Sequence, residues 1–390
     1  MLIVLNSGLI TPRWAYFFRP EPTLSRSLGE QRDTAEREPL EITCARDTLD
    51  EDLRQVYDQI GTQLSQAYSE YFTADCTAEN FRRTMVAYLA DHPEVFWLSP
   101  ESVYAYIDYG DSVDVELRYA FEGDDLREMQ DKVHAAATAV IDEAPQTASD
   151  YELELYFNDY LINHITYDKE TSMPRNVYGG LVNGRAVCAG YSKAFQYLCN
   201  RAGIMCTSLF GDILRTDENT ELETTLHSWN CIRLDGDWYH IDVTWNDSKN
   251  AAYSHAYFNL TDDAIRKTHA VSPLYSGEEE SDVFNCFIPE CTATEYDYFN
   301  KTGVTITDLD DDNDVIAAVI AASRDHRSCA EMRVAENLDF DATAQAIGDA
   351  YAFKWLEAAN HYNHDNPSLT PSDYVIYKRL RVINLQLKYQ

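Results

Sequence analysis

The chain has few basic residues for its size. Its 390 residues include 31 lysines and arginines against 66 aspartates and glutamates, which gives a formal net charge of -35. A field of this sign repels phosphate backbones and anionic lipid surfaces, so we expect no nucleic-acid partner. The hydrophobic content of 45% is sufficient for packed cores, and the length predicts two or three domains.

Motifs for disulfide frameworks, metals and cofactors are also missing. The nine cysteines are an odd number, and no two of them form a Cys-x-x-Cys pair. Cys286 and Cys291 have no second half-site for zinc. The chain contains no His-Glu-x-x-His segment, and no Lys-Ser/Thr follows Gly179, Gly180 or Gly184 as in a phosphate loop. We therefore predict no disulfide framework, no bound metal and no cofactor.

The N-terminal residues allow two interpretations. Residues 2–18 are mostly apolar but contain Arg13, and no basic region precedes them, so a complete secretory signal is not visible. Residues 19–48 are polar and rich in Pro, Arg and Glu, which is typical of a linker. This layout fits an exported or membrane-tethered protein. It equally fits a cytoplasmic protein that begins with an ordinary strand and a loop.

Hydrophobic periodicity predicts a mixture of helices and strands. Apolar residues from Leu53 to Tyr68 recur at three-to-four spacing, which predicts one helix over 48–72. Alternation on both sides of the turn at 109–112 predicts a hairpin. The other predicted elements are helices over 125–144 and 150–165, the second with a capping box of Ser149 and Glu152, then strands at 304–307, 329–335 and 382–387 and helices at 314–323 and 340–358.

The stretch NGRAVCAGYSKAFQYLCNRAG, residues 183–203, places Cys188 at the start of a predicted helix. Apolar residues follow it at helical spacing, and Gly203 ends the pattern. Cys199 belongs to the apolar stripe, which favours inert packing. Cys188 lies where free N–H groups and the positive end of the helix dipole favour a thiolate. Position alone does not make a nucleophile, because thiol catalysis also needs an imidazole and a group that orients it.

A predicted hairpin supplies both partners. Asp235-Gly236 separates two strand-like segments, and such a dipeptide is a strong signal for a two-residue turn. In the resulting register His227 faces Thr244 and Asp242 faces Trp229, with all four side chains on one side of the sheet. The carboxylate of Asp242 then lies diagonally next to His227, within hydrogen-bonding reach.

This assignment depends on the register. A bulge would shift the pairing by one residue and move the side chains to opposite faces. His240 shares the face with His227 in the predicted register, but it lies two residues further from His227 than Asp242 does. It is therefore the second choice as a partner for a catalytic thiol.

Three segments carry a family resemblance: GRAVCAGYSKAF, HSWNCIRLDGDWYHIDVTWND and the YFNLTDD that closes the region. Together they resemble the transglutaminase-like superfamily, a branch of papain-type cysteine enzymes, over about 145–270, and the longer flanks resemble those of bacterial members. The resemblance implies a Cys188 nucleophile, a His227 general base and an orienting Asp242. It also implies an α+β fold with a papain-like core, in which the nucleophile helix packs on an antiparallel sheet.

The resemblance and the patterns together divide the chain into four segments. Residues 1–48 form the apolar N-terminus and polar linker, and residues 49–145 form a small N-terminal α+β region. The catalytic core is expected at 146–272. Residues 273–390 are expected to form a C-terminal α/β appendage without chemistry of its own.

Family activities include acyl transfer from glutamine to amines, peptide hydrolysis and deglycosylation of peptides, all of which begin with thiolate attack on an amide carbonyl. We therefore expect a cysteine hydrolase or acyltransferase that acts on peptide or protein substrates, cell-wall peptide among them. Tyr178 is a candidate oxyanion donor, and Trp229 a candidate shield beside the base; plain packing is the alternative for both. The alternative function is a catalytically silent scaffold or binding protein at the cell surface, and the sequence does not predict the oligomeric state.

Overall fold

The computed structural model describes most of the chain. The described residues are 28–215, 223–247, 254–275, 284–363, 368–370 and 374–389. The apolar segment 2–18 and the first part of the predicted linker lie outside these residues. Within the described part, no helix combines the length and the apolar character needed to cross a membrane.

Helices and strands are mixed along the chain, which confirms the predicted α+β class. The helices are α1 (Glu51–Leu64), α2 (Ala78–Asp91), α3 (Gly123–Asp142), α4 (Asp150–His164), α5 (Val177–Leu181), α6 (Cys188–Arg201), α7 (Val243–Asn246), α8 (Asp262–Ile265), α9 (Tyr298–Lys301), α10 (Asn313–Arg324), α11 (Phe340–Ala346) and, after a π-helical turn at Ile347–Tyr351, α12 (Ala352–Tyr362). The strands are β1 (Arg32–Asp33), β2 (Tyr71–Ala74), β3 (Tyr104–Asp108), β4 (Val113–Leu117), β5 (Thr147–Ala148), β6 (Thr166–Tyr167), β7 (Arg185–Ala186), β8 (Cys206–Arg215), β9 (Glu223–Leu234), β10 (Asp237–Ile241), β11 (His269–Val271), β12 (Val304–Ile306), β13 (Cys329–Val334), β14 (Leu369–Thr370), β15 (Tyr374–Tyr377), β16 (Val382–Gln386) and β17 (Lys388–Tyr389).

The chain divides into two compact units. The larger comprises residues 28–244 and 259–293, and the smaller takes its described residues from 245–258 and 294–390. The predicted segments 49–145 and 146–272 both contribute to the larger unit, except for 245–258. The predicted division into four segments stays a prediction.

The first part of the larger unit contains the predicted helix and hairpin. Asp50 caps α1 by accepting a hydrogen bond from the Leu53 N–H, and the helix buries its apolar stripe. The predicted extension of this helix to residue 72 is wrong: α1 ends at Leu64, and Tyr68 is 57% exposed. Strands β3 and β4 form the expected hairpin, to which β2 adds an outer strand. Helix α2 was not predicted.

The central sheet of the larger unit has the order β10-β9-β8-β11, and all neighbours are antiparallel. Helix α6 packs against β8 and β9. Its apolar stripe is fully buried, as predicted, and Cys199 is 0% exposed within it. Gly203 follows the helix with φ of +77°, a left-handed conformation that glycine adopts without strain. A helix packed on an antiparallel sheet is the core architecture that the family resemblance implies.

The turn between β9 and β10 fixes the register of the sheet. Asp235 and Gly236 have φ values of 49° and 98°, as a tight hairpin turn requires. Leu234 pairs with Asp237, which confirms the predicted register, and pairing continues to Asn230 and Ile241. The predicted pairings of His227 with Thr244 and of Trp229 with Asp242 are wrong, because β10 ends at Ile241, Asp242 follows the strand and Thr244 lies in α7.

The smaller unit is built around the sheet β12-β13-β16-β15, in which only β12 and β13 run parallel among the described strands. Its core contains Trp355 and Ile383, both 0% exposed. A buried contact between His255 and Glu331 fixes the segment 254–258 to β13 within this unit. The five C-terminal elements predicted from the sequence are confirmed, whereas β14, β15 and β17 were missed.

Candidate active site

Cys188 is the first residue of α6, and its thiol meets strand β9. The side chain is only partly buried. The thiol contacts the imidazole of His227 and accepts a hydrogen bond from the backbone N–H of Ser228. Because β10 pairs with β9 only from Asn230 to Leu234, Ser228 lies beyond that ladder. The end of the β9–β10 ladder thus leaves room for the helix N-terminus to approach the strand.

Buried polar contacts hold α6 in this position. The Ser192 and Ser228 hydroxyls lie 2.8 Å apart, and the Asn230 amide donates to the Ser192 carbonyl at 3.0 Å. One turn further along, Ser208 donates to the Gln196 side chain at 2.6 Å. Such buried bonds specify one arrangement of the helix on the sheet, because a shift would leave their donors and acceptors unsatisfied.

The side chains of His227 and Asp242 are joined by a hydrogen bond in the interior. The Nε2 atom of His227 lies 2.7 Å from Oδ2 of Asp242, and the two side chains are 4% and 0% exposed. A carboxylate only accepts hydrogen bonds, so Nε2 carries a proton and Nδ1 is the nitrogen left for the thiol. The structure therefore brings Cys188, His227 and Asp242 together in the predicted order.

A second histidine, which sequence reasoning missed, also binds this carboxylate. The Nε2 atom of His269 donates to Oδ2 of Asp242 at 3.0 Å, and its Nδ1 lies 2.8 Å from the Thr268 hydroxyl. Burial lowers the pKa of His269, which keeps the ring neutral. No local pattern marks this residue, because its position depends on the pairing of β11 with β8.

The electrostatics of the site favour a charged thiol–imidazole pair. Burial alone would raise the pKa of the Cys188 thiol, but His227 and the Ser228 N–H lower it below its ordinary value. Burial alone would lower the pKa of His227, yet the Asp242 carboxylate and Cys188 raise it to about 10. The pKa of Asp242 lies well below its ordinary range because both histidines outweigh the effect of burial. Both shifts favour a thiolate beside an imidazolium over a neutral thiol and imidazole.

The other partly exposed thiol provides a contrast. Cys44 and Cys188 are both intermediate in exposure, whereas the other seven cysteines are buried. Burial and the neighbouring carboxylates of Asp91 and Asp47 raise the pKa of Cys44 to about 12. Exposure is therefore similar at the two thiols, and their surroundings shift the pKa in opposite directions.

The two aromatic residues predicted near the site lie in different surroundings. Trp229 is 1% exposed, and its ring stacks on His227 with centroids 6.2 Å apart. Its indole N–H donates to Nδ1 of His240 at 3.1 Å, so this donor already has an acceptor. Tyr178 lies on α5, where its ring is 5.4 Å from that of Phe96. The position of Trp229 suits a shield over the base, and the roles of both residues stay predictions.

Glycine at position 211 makes the packing around Trp229 possible. Gly211 pairs with His227 across β8 and β9 and with Val271 across β8 and β11. A Cβ atom at this position would lie 2.7 Å from the Trp229 ring and would also meet the Ala270 carbonyl. The absence of a side chain at Gly211 lets the indole lie across the strand beside His227.

Replacement of His269 tests its hold on Asp242. We expect His269→Leu to lower the free energy of unfolding by about 1.5–3 kcal/mol, because it removes a hydrogen bond to a buried charge. In His269→Gln the side-chain amide can still donate, so the loss should be smaller. Urea unfolding of the purified variants measures both values. Equal losses in the two variants would contradict a role for the hydrogen bond.

A thiol at a helix N-terminus, an imidazole on an antiparallel sheet and a buried carboxylate behind it form the arrangement that thiol-dependent enzymes of amide chemistry use. Residues 136–243 match the model of the transglutaminase-like superfamily. The chain therefore carries a domain of this superfamily, whose members are generally enzymes of the peptidase or transglutaminase kind.

Comparison with individual proteins gives more distant similarities. The chain is 27% identical to Kyphoscoliosis peptidase of Mus musculus over 146 residues, which are 34% of this chain and 22% of that protein. Among solved structures, a crystal structure of a TGase is 14% identical with a TM-score of 0.27, and covers 61% of this chain and 59% of its own. The periplasmic domain of TgpA from Pseudomonas aeruginosa, bound to ethylmercury, is 15% identical with a TM-score of 0.24, and the match covers 38% of this chain and 67% of that structure. The chain thus spans less than a quarter of the length of its curated relative.

Proposed function

We propose that this protein is a cysteine-dependent enzyme that cleaves or transfers amide bonds of peptide or protein substrates. One observation supports the proposal above all others: the Cys188 thiol contacts His227, and Asp242 holds the far nitrogen of that imidazole at 2.7 Å. Because Asp242 fixes Nε2 as the protonated nitrogen, Nδ1 faces the thiol and can take or return a proton there.

The reaction begins when the Cys188 thiolate attacks the amide carbonyl. A carbon–sulfur bond forms, the carbonyl electrons move to oxygen, and the helix N–H groups at Cys188 supply a donor for the oxyanion. The His227 imidazolium then gives its Nδ1 proton to the leaving amine, and the carbon–nitrogen bond breaks to leave a thioester. His227, now neutral, accepts a proton from water or from an amine as that nucleophile attacks the thioester and releases the acyl group.

Water and amine lead to different products from the same thioester. Hydrolysis yields a free carboxylate and an amine, whereas transfer to an amine yields a new amide bond. The homologue named a peptidase and the superfamily model support the general chemistry of a cysteine protease. The choice between hydrolysis and transfer, and the proposal of cell-wall peptide as a substrate, require a direct assay.

One experiment reports both outcomes. Peptide mixtures from cellular protein and from cell wall are incubated with the purified chain in the presence of a biotin-labelled primary amine, and mass spectrometry counts new termini and new labelled amides. We expect the wild-type chain to produce at least one of these products and Cys188→Ala to produce neither. Products that appear equally with Cys188→Ala would contradict the proposal, and a silent wild type on all mixtures would favour the scaffold alternative.

A further inference from the structure

A second group of chemically competent side chains lies away from Cys188, and two of its three members belong to β9 and β10. The Sγ atoms of Cys231 and Cys291 are 3.9 Å apart, and Sγ of Cys231 lies 3.2 Å from Nδ1 of His240. All three donor atoms lie within 4.8 Å of one another, and all three residues are buried. We propose that Cys231, His240 and Cys291 bind a zinc ion.

The spacing of the donor atoms suits tetrahedral zinc. With zinc–sulfur bonds of about 2.3 Å and zinc–nitrogen bonds of about 2.0–2.1 Å, two sulfurs lie about 3.8 Å apart, and a sulfur and a nitrogen about 3.6 Å. The observed 3.9 Å and 3.2 Å differ from these values by a few tenths of an ångström. Three protein ligands with sulfur and imidazole donors occupy one face of the tetrahedron, and a water completes it.

The far nitrogen of His240 has the partner that a zinc-bound imidazole usually has. Nε2 of His240 donates to Oδ1 of Asp262 at 2.8 Å. This bond keeps the proton on Nε2, so Nδ1 carries the lone pair, and Nδ1 is the nitrogen that lies 3.2 Å from the Cys231 sulfur. A carboxylate behind a ligating histidine raises its basicity and fixes its orientation, and loss of such a partner typically weakens metal binding about 10–100-fold.

Backbone pairing holds the ligands together. Cys231 and His240 are directly opposed across β9 and β10. His240 exchanges two backbone hydrogen bonds with Leu260, and the Asp262 N–H donates to the carbonyl of Cys291 at 2.7 Å. The segment that carries Cys291 is therefore fixed to the residue that orients His240. A site on strands and paired segments is more ordered than one on free loops.

Charge balance favours a dication. When Zn²⁺ replaces the two thiol protons, two zinc–sulfur bonds form, two S–H bonds break, and two protons pass to solvent. The product, two thiolates and one dication with a neutral imidazole, carries no net charge, which suits a buried site.

Trp229 would report the binding event. Its indole N–H donates to the same Nδ1 of His240 at 3.1 Å, and a metal at Nδ1 takes that lone pair. The indole must then release His240. Because the Trp229 ring also stacks on His227, a change at the zinc site would reach the surroundings of the imidazole that contacts Cys188.

The test uses the full-length reduced chain in a Cys188→Ala background, so that zinc cannot bind at the thiol of the candidate active site. The proposal therefore stands or falls independently of the proposed enzyme activity. The chain is treated with a chelator and titrated with Co²⁺ and then Zn²⁺. We expect the chain to bind one equivalent of Co²⁺ and to show thiolate-to-cobalt charge-transfer bands together with the visible spectrum of tetrahedral cobalt. One equivalent of Zn²⁺ should displace the cobalt, remove these bands and change the tryptophan fluorescence.

Matched variants assign the ligands. Cys291→Ser and His240→Gln should lose the charge-transfer spectrum or weaken binding at least tenfold, and Asp262→Asn should weaken it about 10–100-fold. Cys286→Ser should bind cobalt as tightly as the parent chain does. Cys286 lies five positions before Cys291 and is also buried, but it is not one of the three ligands. If Cys291→Ser does not fold, a rise in melting temperature of the Cys188→Ala chain with Zn²⁺, absent with Mg²⁺, still supports the site.

Three results would overturn the proposal. The first is failure of the reduced chain to bind either metal. The second is cobalt binding without thiolate bands. The third is binding that persists unchanged in Cys291→Ser and in His240→Gln.

Discussion

Replacing Cys188 with alanine is expected to lower kcat on any amide substrate of this protein by about 10⁴-fold or more. Removal of the nucleophile of a catalytic triad has effects of this size, because the remaining groups bind and polarise the substrate but cannot form the covalent intermediate. The loss should appear in kcat rather than in KM, since the thiol is small and only partly buried. Steady-state kinetics on a substrate found by peptide profiling measures both constants.

Cys199→Ala is the matched control for this variant. Cys199 lies on the same helix eleven residues later, is 0% exposed and packs in the apolar stripe. Its replacement removes a thiol of the same size from α6 without touching His227, so kcat should be unchanged within the error of the assay. Equal losses in the two variants would mean that helix packing, and not the Cys188 thiol, supports activity.

Asp242→Asn is expected to lower kcat by about 10⁴-fold while the chain stays folded. The neutral amide removes the charge that raises the pKa of His227. Its NH₂ group can also face Nε2 of His227, the nitrogen that donates to Asp242 in the wild type. The ring then favours the tautomer with the wrong nitrogen protonated, which is the known cost of this substitution in a catalytic triad. Rapid-mixing measurement of acyl-enzyme formation locates the loss in the first chemical step.

Glu331→Gln provides a control in which another buried carboxylate beside a histidine is neutralised. Oε2 of Glu331 lies 2.5 Å from Nδ1 of His255, as Oδ2 of Asp242 lies 2.7 Å from Nε2 of His227. Glu331 belongs to the smaller unit, whereas Cys188 belongs to the larger one. The kcat of Glu331→Gln should therefore stay close to that of the wild type. A loss similar to that in Asp242→Asn would contradict the assignment of Asp242 as the orienting carboxylate.

The parts of the site that were predictable from the sequence are those set by local rules. The helix that begins at Cys188 follows from its apolar spacing, and the Asp235-Gly236 turn fixes the register of β9 against β10. Period-two alternation then predicts that His227 and Asp242 share one face. These three steps need information only from neighbouring residues, and the structure agrees with the first two. The side chains of His227 and Asp242 do meet, but Asp242 follows the end of β10 at Ile241 and is not part of its ladder. The catalytic roles stay proposals until the variants are measured.

The parts that were missed depend on contacts between distant segments. His269 reaches Asp242 because β11 pairs with β8, which ended more than fifty residues earlier, and no motif encodes that pairing. Cys291 approaches Cys231 across sixty residues for the same reason, so a search for closely spaced zinc ligands could not find the cluster. Thr244 was misplaced because strand alternation was extended past Ile241, where the chain turns into α7.

The most direct test of the central claim is the pH dependence of Cys188 alkylation by iodoacetamide, read residue by residue by mass spectrometry. The thiolate of Cys188 persists above its lowered pKa, and His227 stays protonated up to about pH 10, so the ion pair exists between these limits. We expect the rate at Cys188 to level off at a lower pH than the rate at an ordinary free thiol. The rate at Cys44, whose pKa is about 12, should rise about tenfold per pH unit.

His227→Ala should abolish the difference, because Cys188 then loses the partner that lowers the pKa of its thiol. A wild-type rate at Cys188 that climbs about tenfold per pH unit up to pH 9, in parallel with Cys44, would contradict the account. A rate at Cys188 that levels off early, and does so only at higher pH in His227→Ala, is the result that an activated thiolate–imidazolium pair predicts.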